Sequence, residues 1–162
     1  MDRMLNQDAL MDFFLTFARC EFALKTGGFA KGGSKRCVGV EAKADWEAFA
    51  NSLPTSFLSN IGPEAEAACE RLIDTPPWEL VLIEGDVMWQ QQARPAVGNL
   101  ATDALTAVRR LRNNLFHGNE AGGTQGYVTS HIEQRLRDAV LVLRVSISLL
   151  PAVQAAYSSA AL

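Results

Sequence analysis

The chain has 162 residues, of which 48% are hydrophobic and 20% are charged, and its formal net charge is -3. This length suits one domain, which we predict over residues 1–162, and this composition excludes wholesale disorder. Because the chain is acidic overall, any surface that binds nucleic acid must be a local one.

Cysteines and terminal segments restrict the class of protein further. Cys20, Cys37 and Cys69 are odd in number and lack a CxxC pair, so the sequence indicates neither a disulfide framework nor a thiolate zinc site. Acidic residues near the start do not fit the basic region of a signal peptide. The chain is uncharged after Arg144, but serines and a proline favour a packed or dimer-forming helix over a membrane span. We therefore predict a cytoplasmic protein without membrane contact, metal or cofactor.

The first part of the sequence predicts an aromatic helix and a basic loop. Leucines and phenylalanines recur at helical spacings through about Lys25, and Gly27-Gly28 supplies a helix stop. Residues 27–36 contain four glycines and three cations. This segment therefore predicts a flexible loop that packs against no core.

The middle of the chain predicts two helices and a hairpin. A short amphipathic helix over 45–53 is closed by Pro54, and a second helix begins at Pro63, in the first-turn position that proline favours. Two apolar runs flank Glu84-Gly85-Asp86. This pattern predicts a short β-hairpin over 80–89, with an extended connection as the alternative.

The last part predicts two helices separated by a glycine-rich segment. The first, here called the motif helix, runs from about Ala96 to His117, with Gly118 just beyond its last turn. The second begins at about Val128, and Pro151 should kink or shorten it. Together these elements predict an all-α fold, a helical bundle of about four to six helices with the hairpin as an addition.

The end of the motif helix carries the most informative side chains. Arg112 offers a fixed fork of donors to a phosphate that gains charge, and His117 can exchange a proton with a ribose hydroxyl near neutral pH. Asn113 and His117 are four residues apart and share a helical face, whereas Arg112 lies at the margin of the apolar stripe. The alternative is structural, because a histidine before a glycine often only satisfies the last helix carbonyls.

The run from Arg112 to Gly118, Arg-Asn-x-x-x-His-Gly, resembles the signature of HEPN domains, many of which are dimeric all-helical ribonucleases. Short strings at 21–25, 74–77, Trp89 and 137–138 resemble a bacterial and plasmid-borne HEPN group. The resemblance implies a HEPN-like fold and a metal-independent endoribonuclease that leaves a 2′,3′-cyclic phosphate and a 5′-hydroxyl. It also implies RNA as substrate, a homodimer through the motif helix, and a toxin or phage-defence role with an antitoxin as partner.

The resemblance also implies roles for individual residues. His117 would transfer the proton, Arg112 would stabilise the pentacoordinate phosphate, and Asn113 would orient the phosphate or the histidine. Glu21 or Asp138 would hold Arg112, because a partly buried guanidinium without a carboxylate is costly; the alternative is that both are ordinary surface carboxylates. The candidates for binding the RNA backbone, with a plain solvated loop as the alternative, are Lys25, Lys31, Lys35, Arg36 and Lys43.

The sequence departs from the group directly after the motif. Asn119-Glu120 follow Gly118, where members of the group often have a second glycine and a lysine, and Glu120 would repel an anionic substrate. This departure favours a catalytically silent HEPN module that dimerises, or binds RNA or a protein partner. The intact arginine, asparagine and histidine favour the nuclease, which is the hypothesis we carry forward.

Overall fold

A computed structural model describes residues 6–76, 78–95, 98–117 and 128–161. Within them the helices are α1 (Gln7–Thr26), α2 (Trp46–Ser52), α3 (Phe57–Ile61), α4 (Pro63–Asp74), α5 (Leu100–Phe116), α6 (Val128–Ser148) and α7 (Pro151–Ser159). The strands are β1 (Ala30–Lys35), β2 (Val40–Ala44), β3 (Trp78–Ile83) and β4 (Asp86–Gln91). The strands form two separate antiparallel hairpins, β1–β2 and β3–β4.

The prediction of an all-α bundle of four to six helices is wrong. The described residues form seven helices and two small sheets, so the fold is mixed although helix dominates it at 63%. The predicted hairpin over 80–89 is confirmed as β3–β4. Its turn residues Glu84 and Gly85 both have positive φ, 51° and 95°, as the tightest hairpin turns require.

The predicted flexible loop after α1 is also wrong, because that segment begins the β1–β2 hairpin. Lys31 lies opposite Lys43, and the register shifts between Gly32 and Lys35. Glycine and lysine have low strand propensity, so the sequence gives no strand signal here. Contacts at the base of the hairpin stabilise it instead: the Phe29 N–H donates to the Leu24 carbonyl at 2.8 Å.

Local signals explain most helix boundaries. The Asn6 side chain accepts a hydrogen bond from the Asp8 N–H at 2.9 Å and caps α1. Asn99 caps α5 in the same way, through the Thr102 N–H at 2.7 Å, so the motif helix begins later than predicted. Pro63 occupies the first turn of α4 as predicted, and Pro151 ends the long last helix and begins α7.

The core is one cluster of buried apolar side chains drawn from most of the helices. It includes Phe13, Phe49, Leu72, Leu111 and Leu143. Helix α1 packs on α6 and α7, while α4 packs between α5 and α6. This arrangement leaves one side of α1 and one side of α5 at the surface.

A buried carboxylate joins α4 to α6. Asp138 is 4% exposed and accepts two hydrogen bonds from the Arg71 guanidinium, at 2.9 and 2.7 Å. Gln134 donates a third at 2.9 Å. The hydrogen bonds that Arg71 donates to Asp138 raise the pKa of Arg71 above its ordinary value.

Among the described helices, none alone is long and apolar enough to cross a membrane. Residues 131–148 of α6 and helix α7 would together be long and apolar enough, but the chain bends by 119° at the break between these two helices.

Candidate functional site

Arg112, Asn113 and His117 lie together over the last turn of α5. The buried side of this helix carries Val108 and Leu111, so Arg112 at its margin is half-buried and Asn113 is exposed. His117 is the C-terminal cap: its N–H donates to the Asn113 carbonyl at 3.0 Å, and the residue is exposed. The structure therefore places the three predicted catalytic residues at the C-terminal end of one helix, where Asn113 and His117 are exposed.

Aromatic rings and an amide fix the Arg112 guanidinium. Its central carbon lies 4.6 Å from the centroid of the Phe116 ring and 5.6 Å from that of Phe17. One of its terminal nitrogens donates to Asn113 Oδ1 at 3.1 Å. In the part of the chain that the structure describes, Arg112 forms no ion pair, so the cation is oriented without being neutralised.

Neither carboxylate expected to hold Arg112 does so. Asp138 is bound to Arg71 on α4, and Glu21 is half-buried on α1 without an ion pair to any described residue. The expectation failed because the guanidinium lies at the surface, where aromatic faces can support it and no buried countercharge is needed. The spacing of Arg112 and Phe116, four residues apart on one helix, was the available signal.

The aromatic support continues into an apolar surface on α1. Phe116 is 65% exposed and meets Phe14 edge to face, with ring centroids 5.6 Å apart. Beyond Phe14, α1 exposes Met11, Leu15 and Phe22, which we call the α1 stripe. The candidate site therefore lies at the edge of an exposed apolar surface.

The other side of α5 holds the base of the β3–β4 hairpin. Asn114 is 3% exposed, and its side-chain carbonyl accepts a hydrogen bond from Gln92 at 3.5 Å. Arg110 donates to the carbonyl of Ala93, the residue after Gln92. Sequence reasoning missed Asn114, although it lies three residues after Leu111 and so continues the buried side of the helix.

The predicted RNA-binding cations gather around the β1–β2 hairpin. Lys31 pairs with Asp45 at 3.4 Å, and Arg36 pairs with Glu41 at 3.3 Å. The Ala48 N–H bound to Asp45 lowers the pKa of that carboxyl, which keeps it charged beside Lys31. The other three lysines form no ion pair with any described residue; they are Lys25, Lys35 and Lys43.

These cations are not next to the motif. Lys25 lies eleven residues beyond Phe14 on α1, a distance of about 16 Å along the helix. An RNA strand that contacted both the motif and the hairpin cations would have to run along α1. The hairpin cations would then add affinity through phosphate charge and would take no part in the chemistry.

Several groups do not contribute to the site as described. Burial raises the pKa of both the Cys20 and the Cys69 thiols to about 12, so neither is a nucleophile at neutral pH. A cavity of about 340 Å³ lies at the opposite end of α5, next to Asn99. No three metal-binding side chains cluster among the described residues. The Gly118-Asn119-Glu120 segment, with the departure from the HEPN pattern, lies outside the described residues.

No protein-family model, curated protein or solved structure matches this chain. The resemblance to HEPN domains therefore stays a prediction that depends on the residues quoted for it.

Proposed function

We propose that this protein is a metal-independent endoribonuclease of HEPN type, a homodimer in which two copies of α5 build one composite site. The observation that carries the proposal is the state of Arg112. Its guanidinium is oriented by Phe17, Phe116 and Asn113, yet no described carboxylate neutralises it. A positioned cation of this kind suits a phosphate that gains negative charge in the transition state.

The proposed reaction divides among the three residues of the site. The ribose 2′-oxygen attacks the adjacent phosphorus while His117 accepts its proton, and the bond from phosphorus to the 5′-oxygen breaks. The leaving oxygen takes a proton from His117 of the second copy, which yields a 2′,3′-cyclic phosphate and a 5′-hydroxyl. Arg112 stabilises the phosphate charge. Asn113 accepts from Arg112 through Oδ1, which leaves its amide N–H groups to orient the phosphate.

The dimer is part of the proposal because one helix end alone makes an open surface. A two-fold axis at the exposed side of α5 brings two Arg112, Asn113 and His117 sets together. Phe116 and the neighbouring α1 stripe supply apolar surface of the kind that interfaces cover. We place the enzyme in the cytoplasm, as a toxin or phage-defence effector with an antitoxin as partner.

The second candidate function is a catalytically silent module that dimerises or binds RNA or a protein partner. The exposed apolar side chains of α1 and of the β3–β4 hairpin favour it, because they indicate assembly whether or not His117 transfers a proton. In this case Arg112 and Asn113 serve only the end of the helix.

The test is cleavage of a mixed single-stranded RNA pool by the purified protein in excess EDTA. We compare wild type with the His117→Ala variant and, as matched control, with His131→Ala, which removes the other of the two histidines. Wild type and control should produce fragments with 5′-hydroxyl and 2′,3′-cyclic phosphate ends. The cleavage rate of the His117→Ala variant should be lower by about a hundredfold or more.

Three results contradict the nuclease. Absence of cleavage by folded wild-type protein leaves the silent module. Cleavage that disappears with EDTA rejects the metal-independent mechanism. Equal rates for wild type and the folded His117→Ala variant remove His117 from the chemistry.

A further inference from the structure

The β3–β4 hairpin exposes apolar side chains on both of its faces. Leu80, Leu82 and Val87 lie on one face and are 41%, 71% and 68% exposed. Ile83 and Met88 lie on the other face, at 44% and 51%. A two-stranded hairpin is marginally stable alone in water, and apolar exposure on this scale marks a binding surface.

The α1 stripe is a second unpartnered apolar surface, and its length matches that of the hairpin. Met11, Leu15 and Phe22 are 59%, 44% and 42% exposed and lie on one side of α1. From Met11 to Phe22 the helix rises about 16 Å. The six-residue strands of the hairpin extend about 20 Å.

The two surfaces lie on opposite sides of α5. Arg112 and Phe116 contact α1 on one side, whereas Arg110 and Asn114 contact the base of the hairpin on the other. A two-fold axis that runs along the exposed side of α5 exchanges these sides. It therefore places the hairpin of one copy over the α1 stripe of the second copy.

Charged residues indicate how the hairpin is oriented along α1 of the second copy. The turn of the hairpin carries Glu84 and Asp86, and the α1 stripe leads to Lys25 and then to Lys35 and Lys43. None of these five side chains forms an ion pair with another described residue. Opposite charges meet when the acidic turn of the hairpin points to the basic end of α1.

We propose that the β3–β4 hairpin is an exchanged arm that docks on the α1 stripe of a second copy of this chain. A stable interface buries about 800 Å² on each partner, whereas the largest apolar patch of a monomer is typically about 300–600 Å². When two copies exchange their arms, the hairpin and the α1 stripe of each copy are both buried in the interface. Packing about an axis perpendicular to α5 would instead place stripe on stripe and hairpin on hairpin, so the acidic turn would not meet the basic end of α1. The arm rests on the proposed two-fold axis beside α5 but not on the ribonuclease chemistry, and its assay contains no RNA.

The first experiment measures molecular mass by sedimentation over a range of protein concentrations. We compare wild type with the Leu82→Asp, Val87→Asp double variant and with Val38→Asp, which adds a charge at the other hairpin, where Val38 is 91% exposed. Wild type and Val38→Asp should be dimers with equal dissociation constants. The double variant, folded by circular dichroism, should dissociate at a concentration at least about tenfold higher.

The second experiment identifies which surfaces meet. The Leu15→Cys and Leu82→Cys variants, each with Cys37→Ser to remove the exposed native thiol, are mixed and oxidised. The disulfide between the two different variants should exceed the disulfide between two Leu15→Cys chains. The reverse ratio overturns the proposal in favour of stripe-on-stripe packing.

Two further outcomes also overturn it: a monomeric wild-type protein at every concentration, or a dimer that the Leu82→Asp, Val87→Asp double variant leaves unchanged. A dimer with the expected cross-link but without RNA cleavage supports the arm and rejects the nuclease. Cleavage by a dimer that lacks the cross-link does the opposite.

Discussion

Arg112 is held by weak contacts rather than by a countercharge, so its role in stability can be measured separately from its proposed role in phosphate binding. An exposed contact between a cation and an aromatic ring contributes about 0.5–1 kcal/mol. Phosphate recognition depends on the guanidinium itself, whose planar fork a lysine does not reproduce. Loss of the side chain should therefore affect the fold little and RNA cleavage greatly.

We predict that Arg112→Ala lowers the free energy of unfolding in urea by about 1 kcal/mol. The cleavage rate should fall by about a hundredfold or more, and Arg112→Lys should restore only a small part of it. Arg137→Ala, on the exposed side of α6, is the control and should change neither quantity. A loss of several kcal/mol with Arg112→Ala would make Arg112 a structural residue.

At the residue scale, sequence reasoning placed the three candidate residues at one helix end but did not predict what supports Arg112. Arg112, Asn113 and His117 are close in the chain and on one helix, so their spacing predicts that they lie together. Asp138 is on another helix, and its pairing with Arg71, 67 residues away, depends on how α4 packs on α6. A single sequence does not contain that information.

At the scale of elements, the Arg71–Asp138 pair is a polar link between α4 and α6. The Asp138 carboxylate is 4% exposed, whereas the Arg71 side chain is 48% exposed. Removal of a partner leaves a buried charge unpaired, which costs about 3–5 kcal/mol in a fully buried pair. Half-exposure of the arginine reduces this cost.

We predict that Arg71→Ala lowers the free energy of unfolding by about 2 kcal/mol, less than for a fully buried pair. Arg94→Ala is the matched control, because Arg94 and Asp74 form a pair in which both side chains are more than half exposed, at 65% and 57%. Its loss should cost about 0–1 kcal/mol. If the two substitutions lowered the free energy of unfolding in urea equally, burial of Asp138 would make no contribution to the strength of its pair with Arg71.

The two hairpins show which elements a sequence reveals. Two apolar runs around a Glu-Gly turn identify β3–β4, because the turn and the strand residues agree. The β1–β2 hairpin has glycines and lysines in its strands and depends on Phe29, whose ring meets that of Phe49 with centroids 5.5 Å apart. That stabilisation comes from packing on distant residues, and local propensity does not report it.

At the scale of the whole molecule, burial separates the three cysteines into two classes. Cys20 and Cys69 are both 0% exposed, whereas Cys37 is exposed on the β1–β2 hairpin. Burial raises the pKa of the first two from an ordinary value of 9.0 to about 12. Well below pH 9 both are protonated in the folded and the unfolded chain. Above it, the unfolded chain loses the protons first, so stability should fall as pH rises from 9 towards 12.

We predict that a thiol reagent at pH 8 modifies one cysteine, Cys37, in the native protein and all three in denaturant. The midpoint of urea denaturation should be lower at pH 10 than at pH 8. A Cys37→Ser variant should lose the native labelling and keep the pH dependence. Rapid labelling of two or three thiols in the folded protein would contradict the packing of α1 or α4.

The contact between α1 and α7 has a consequence for how the chain reaches this fold. Arg19 donates to the Tyr157 carbonyl at 3.0 Å, across 138 residues of sequence, and its guanidinium lies 4.3 Å from the Tyr157 ring centroid. During synthesis, α1 leaves the ribosome long before α6 and α7 exist to cover it. Closure of such distant contacts costs chain entropy before it brings any gain and slows folding. The aromatic side of α1 therefore stays uncovered in the nascent chain until α6 and α7 have been made, and during that time it is a surface that a chaperone can bind.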